Sequence, residues 1–398
     1  MSQLNVDTIK KADGTGNLSV PAETGTVVTT ASPSLGRRNL IINGAMQVDQ
    51  RGQTFTNADN DAGGAFLADR FSLQFQDGAS STRVDTANVA VTDHPEGFRN
   101  ACKVVCSTAD DESDDTNVYC SLVARSLEKQ DIAHLEWGTS GAKQVTMSFW
   151  VKSGVTGTYI LTAQHGNGSN EVKYHKAYTI DSADTWEKKT ITIDGAGTGL
   201  NWDTASDNTA GFGFNWWLAC TDDRIDTTLD AWFEDTVNTQ GARSATGQVN
   251  FFLTQDAEFL LTGVQLEVGD TATPFEHRSF GEELAACQRY YEHSYSYGTA
   301  PGASTTIGMV RPSGSSMSDS SMFYPVTFKV AKRSAPTMGS YMIDGTSGSW
   351  YYTRNGQSTS STVNWNYTGT QSSNANFGVG SAWVVVTAYG HWTADAEL

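Results

Sequence analysis

Long apolar runs, paired cysteines and a surplus of positive charge are all missing from this sequence. No apolar stretch reaches the ~18 residues of a membrane-spanning helix, so membrane insertion is not expected. The first twenty residues, MSQLNVDTIKKADGTGNLSV, have no apolar core of signal-peptide length. The chain is therefore expected to be made in a cytoplasm and, if it works outside a cell, to leave by lysis. Five cysteines are present, an odd number, and no CxxC pair occurs. A zinc site of paired spacing is unsupported, and the cysteines read as reduced thiols packed like small apolar residues. Lys and Arg total 26 against 44 Asp and Glu, a formal charge of −18. Such a surface repels phosphate, which argues against a nucleic-acid partner. The sequence also has no GxSxG elbow, HExxH motif or Walker loop, and its seven His are scattered. On these grounds the chain is expected not to be an enzyme. Its 44 acidic residues make carboxylate pairs inevitable by chance, so pairing alone says nothing about acid–base catalysis.

What remains is β-rich. Leu/Ala/Glu/Lys helical blocks are absent, while Val, Thr, Phe, Tyr, Trp and Gly are frequent. QVTMSFWVKS, 144–153, places Val145, Met147, Phe149 and Val151 on one face. TYILTA, KKTITID and VNFFLTQDAEFLLTGVQLEV follow, separated by Gly-rich turns. This pattern predicts an all-β fold: a jelly-roll-like β-sandwich over residues 37–279. Residues 1–36 read as a thin hairpin too small to bury a core alone. They either stay mobile or dock on, or intertwine with, a partner. FGEELAACQRYYE reads as a linking helix within 280–296, with Phe280, Leu284, Cys287 and Tyr291 on one face. Ser279 and Glu282 are spaced as a capping box. That face either packs against two other copies or seals the bottom of the sandwich. Residues 297–398, Ser/Gly-rich and then strand-like, predict a smaller C-terminal β domain.

Four segments carry a resemblance: NLIINGAMQVDQRG, MSFWVKSG, TWEKKTITIDG and LTGVQLEVGDTATPFEHR with LAACQRYYE. Across 37–292 the chain resembles bacteriophage tail-fibre or minor structural virion proteins with a carbohydrate-binding-module-like β-sandwich. NVDTIKKADGTGN is similar to the virion-anchoring segment that begins many phage fibres. The resemblance implies a structural virion protein, a homotrimeric tail fibre or spike. It implies attachment to other virion proteins through residues 1–36 and adhesion to host cell-surface polysaccharide. The alternatives are a head-surface fibre or capsid decoration protein and, further off, a capsule-degrading hydrolase. No binding residue transfers from the shared motifs.

Two groups of residues invite a ligand. Saccharides pack C–H faces on aromatic rings and give their hydroxyls to amides and carboxylates. The densest such stretches are SWYYTRNG and VNWNYTG, so the glycan-binding candidates are Trp350, Tyr352, Asn364, Trp365, Asn366 and Tyr367. On a strand Trp365 and Tyr367 share one face, which points either into a core or out as a platform. The adjacent Trp216 and Trp217 raise the same question in the middle domain. The acidic run ADDESDD makes Asp110, Asp111, Asp114 and Asp115 candidate ligands for a structural Ca2+, the one cofactor suggested. The competing reading is a solvated acidic loop. TDDRIDTTLD, 221–230, is a second acidic stretch.

Overall fold

A computed structural model describes residues 37–58, 65–76, 83–95, 97–109, 118–166, 171–235, 241–317 and 320–397. The N-terminal segment 1–36 and the acidic run holding Asp110, Asp111, Asp114 and Asp115 lie outside the described residues. Arg38–Leu398 forms one compact unit.

Alternating apolar residues build two facing antiparallel sheets. The six-stranded sheet runs in the order Phe55–Ala58, Arg83–Ala90, Asn100–Thr108, Glu258–Val268, Val145–Ser153 and Glu187–Ile193. The seven-stranded sheet runs Trp232–Asp235, Glu171–Ile180, Gly157–His165, Phe212–Cys220, Tyr119–Ala124, Phe71–Gln76 and Ala65–Ala68. Between them lies one large core, in which Val145, Met147, Phe149 and Val151 are fully enclosed. Phe149 of the first sheet meets Trp216 of the second edge to face, with ring centroids 5.6 Å apart. The fold is the expected all-β, jelly-roll-like sandwich. All five cysteines are free thiols, four of them buried. Among the described residues no helix is long and apolar enough to cross a membrane.

The long strand Glu258–Val268 carries a register shift between Thr262 and Gln265, where Gly263 takes φ +62°. This bulge lets the segment after Arg38 lie against the strand. Leu40 N–H donates to Leu266 O at 2.9 Å, and Val264 N–H donates to Gly44 O at 2.9 Å. A Cβ at Gly44 would stand 1.9 Å from Val264 O, so only glycine allows the approach.

Ser279 caps the helix Phe280–Gln288 through the expected capping box with Glu282. Its buried face differs from the expected one. Cys287 packs with Tyr290, Ile42 and Val48 of the same chain, and Leu284 packs alongside. Phe280 is 42% exposed. Tyr291 lies beyond the helix, in the strand Tyr291–His293 that pairs with His391–Asp395. The helical period ends three residues before Tyr291 because Gln288 is the last helical residue. Extending the period across that end placed Tyr291 on the wrong face.

The C-terminal segment folds into three small sheets of three, four and three strands. All three contribute side chains to a second core around Trp350, Trp392 and Ala394 coming from the sheet that holds His391–Asp395. Lys332 and Glu292, the latter in the strand Tyr291–His293, form a fully enclosed ion pair at 2.6 Å. Lys332 Nζ also donates to Val330 O at 2.9 Å.

A polar groove across the seven-stranded sheet

Period 2 sends the apolar residues of the seven-stranded sheet inward and leaves its outer face polar. Cross-strand register then assembles one row from five strands. Ser72 opposes Val123, Val123 opposes Asn215, Asn215 opposes Thr162, and Thr162 opposes His175. Gln74 and Gln164 stand in the neighbouring rows. Gly213 faces Gln164 and has no side chain to fill the space; a Cβ there would meet Ala124 O at 2.9 Å. The result is a groove of about 180 Å3 lined by Ser72, Gln74, Arg125, Gln164, Asn215 and Arg243 among others.

One end of this face is covered by the chain itself. Trp217 packs with Tyr119, Ile160 and Ala245, and its Nε1 donates to Thr162 Oγ1 at 2.8 Å. Trp216 is in the main core and Trp217 lies beneath the Ala245 segment, which answers the question their adjacency raised. Ser244–Ala245 pairs in parallel with Ile225–Asp226, and this brings Arg243 to the groove. Its guanidinium stands 4.8 Å from the Tyr119 ring centroid.

The charges on this face are unevenly matched. Lys173 is held by Asp235 at 2.6 Å and Glu171 at 2.7 Å, so its charge is compensated. Burial, reinforced by the Lys173 ammonium, pushes His175 down to about 4, so it is neutral at pH 7. Arg125 and Arg243 have no carboxylate within 4.0 Å among the described residues, and the Nε of each lacks a hydrogen-bond partner. Ser72 Oγ, 1% exposed, also lacks one. Glu397 attracts Arg125 from a distance but is already bound by Arg70. Among the described residues, no Asp or Glu lines the groove. Buried donors without partners are uncommon in a finished core, and here they converge on one open groove.

A larger cavity of about 720 Å3 lies where the sandwich meets the C-terminal sheets. Its guanidinium, Arg51, donates to Asp395 at 3.1 Å and sits between the rings of Phe66 and Tyr291. That cation is spent on holding the fold.

The aromatic candidates of the C-terminal domain are mostly structural. Trp350 is wholly enclosed, with Nε1 donating to His391 O at 2.8 Å. Tyr352 is buried in the same core. Trp365 is half-buried and sets its ring edge-on to Trp350 at 5.9 Å. Neither Trp350 nor Tyr352 offers a ring face to a ligand. Asn364 is exposed and Asn366 half-buried. Tyr367 is 84% exposed but does not share a face with Trp365. The strand ends at Asn366, and Tyr367 turns out of it at φ 53°, so strand alternation stops before it. Of the second acidic stretch, Asp226 accepts from Thr228 N–H at 2.6 Å and Asp230 binds Lys176. Among the described residues no group of three or more His, Cys, Asp or Glu is placed to hold a metal.

Sequence reasoning missed Arg125, Arg243 and the row through Asn215 because they lie on six separate segments. Only the alternation in each strand hinted at a polar outer face.

No protein-family model matches the chain, and no curated protein matches it. Among solved structures, it is similar to the enzymatically active domain of tailspike protein 4 of bacteriophage CBA120. Identity there is 10%, TM-score 0.28, with 53% of this chain and 21% of that chain covered. The chain thus spans about a fifth of the tailspike chain. It is similar to the family 11 carbohydrate-binding module of a Clostridium thermocellum cellulosomal cellulase. That match has 14% identity and TM-score 0.25, covering 56% of this chain and 98% of the module. An arabinose-bound α-L-arabinofuranosidase matches at 11% identity and TM-score 0.27, with 58% and 26% covered. Two of these three proteins are enzymes. This corrects the expectation, drawn from absent motifs, that the chain is not an enzyme: chains of similar structure include catalytic ones.

Proposed function

We propose that this protein is a phage virion appendage, a homotrimeric tail fibre or spike, that holds host surface polysaccharide in the groove of its seven-stranded sheet. The observation that supports this reading is the set of unpartnered donors in that groove. Ser72, Arg125 and Arg243 present hydroxyl and guanidinium groups to a space flanked by the amides of Gln74, Gln164 and Asn215. Amide rows of this kind exchange hydrogen bonds with sugar hydroxyls. The two guanidinium groups favour a saccharide bearing carboxylate or another acidic substituent, since Arg forks match carboxylate geometry. An uncompensated cationic groove on a chain of charge −18 also gives the ligand a preferred landing place. Several copies on one appendage would turn weak single sites into avid adhesion.

The test is the affinity of the full chain for an acidic polysaccharide, polygalacturonate, compared with Arg125→Ala/Arg243→Ala. The reading expects binding that weakens with salt and falls by about tenfold or more in the double variant. Equal affinity of both proteins would refute the groove. Gold-labelled antibody to residues 297–398 on whole virions tests the assignment to an appendage. Label at the ends of tail appendages supports it, and label over the head replaces it with decoration.

A further inference from the structure

The strand Ser349–Arg354 sends Trp350 and Tyr352 into the C-terminal core, so Tyr351 between them points the other way. On the adjacent strand Val385–Tyr389, Val386 and Ala388 are buried and Tyr389 faces out. Register places Tyr351 directly opposite Tyr389. Their rings are stacked, centroids 5.7 Å apart and 27° between planes. They wall a cleft of about 400 Å3.

The rest of the cleft is held in place by hydrogen bonds. Thr305 N–H donates to Ile343 O at 2.9 Å, and His391 Nε2 is 3.0 Å from Thr305 O. His391 in turn stacks on Tyr295 at 3.8 Å. At the cleft, Asp344 accepts from the Tyr351 hydroxyl at 2.8 Å and from Thr346 N–H at 2.9 Å. The Thr346 N–H and then the Tyr351 hydroxyl keep the Asp344 carboxyl below the usual range, so it is ionised at neutral pH. No Lys or Arg stands among the groups acting on it. Its remaining lone pairs are open to a hydroxyl donor.

We infer that the C-terminal module carries a second saccharide site, for a neutral hexopyranose unit, in the cleft walled by Tyr351, Tyr389 and Asp344. The aromatic wall takes the apolar C–H side of the ring, and the carboxylate takes hydroxyls. Asp344 repels acidic sugars, so this cleft and the arginine groove select opposite ligands. The inference rests on the C-terminal module alone and stands apart from the groove reading.

Titration calorimetry of the full chain with gluco-, manno- and galacto-configured neutral hexaoses tests it. At least one hexaose is expected to bind. That binding should fall about tenfold or more in Tyr351→Ala/Tyr389→Ala and several-fold in Asp344→Ala, and should survive Arg125→Ala/Arg243→Ala. Polygalacturonate binding should show the reverse pattern. Asp344 is exposed, so its variant carries the test should the tyrosine variant fail to fold. The inference is overturned if no hexaose binds, if Asp344→Ala or the tyrosine variant keeps full affinity, or if the arginine variant abolishes neutral binding.

Discussion

The backbone N–H of Asn39 lies 3.0 Å from one carboxylate oxygen of Glu276, a partner 237 residues away, and Arg38 N–H donates to the other oxygen at 3.1 Å. Arg278 adds bonds to Asn39 O, to Ile41 O at 3.2 Å and to Glu276 itself. Asn43 N–H donates to Glu283 at 2.5 Å. The segments NLIINGAM and PFEHR…GEEL are thus two halves of one clamp that closes the sandwich and sets the angle of the following helix.

Removing Glu276 should loosen that clamp. Burial opposes its charge, but the Arg38 and Asn39 N–H groups and Arg278 together hold its pKa below the usual carboxylate value. Glu276→Ala leaves two backbone donors without partners, a loss of about 1–3 kcal/mol. Urea denaturation of the variant measures it. Because the folded pKa is depressed, the wild-type advantage should be full above about pH 4.5 and fade as pH falls through the lower folded value.

Gly44→Ala should be far more damaging than its size suggests. The added Cβ would meet a backbone oxygen at 1.9 Å, and neither the turn at Gly44 nor the strand at Val264 can move without breaking the Gly44–Val264 hydrogen bond. A cost of about 3 kcal/mol or more is expected, read as a large fall in Tm.

The enclosed Lys332–Glu292 pair gives a third prediction. Lys332→Met strands Glu292 without a countercharge and should cost about 3–5 kcal/mol. The double variant Lys332→Met/Glu292→Leu should recover much of that loss, since removing both charges also removes their desolvation. A double-mutant cycle on denaturation free energies checks both statements.

Acid sensitivity follows from two buried histidines. Burial is the main cause that pushes both His175 and His293 down to about 4. Below about pH 6.5 the unfolded chain takes up protons that these folded sites refuse. Stability should therefore fall as pH drops from about 6.5 to about 4, by up to about 3 kcal/mol per histidine. Replacing His293 with Gln should flatten the denaturation profile over that window.

The sandwich was legible in the sequence because strands such as VTMSFWVKS alternate cleanly, and Val145, Met147, Phe149 and Val151 do share the core face. The capping box was legible because it is local. The C-terminal ligand residues were harder. SWYYTR was read with Trp350 and Tyr352 as the interesting pair, yet these two fill the core and Tyr351 between them is the ring on the outer face, stacked on Tyr389. Alternation fixes which residues share a face but not which face is inside. The arginine groove was least legible, since Arg243 reaches it only through the Ser244–Ala245 pairing with Ile225–Asp226.

The most direct test of the account is a crystal structure of the full chain with an acidic oligosaccharide, oligogalacturonate. The account predicts sugar density over the strands Phe71–Gln76, Tyr119–Ala124, Gly157–His165 and Phe212–Cys220, with a carboxylate bonded to Arg125 or Arg243. A sugar bound elsewhere, with this groove empty, would contradict it.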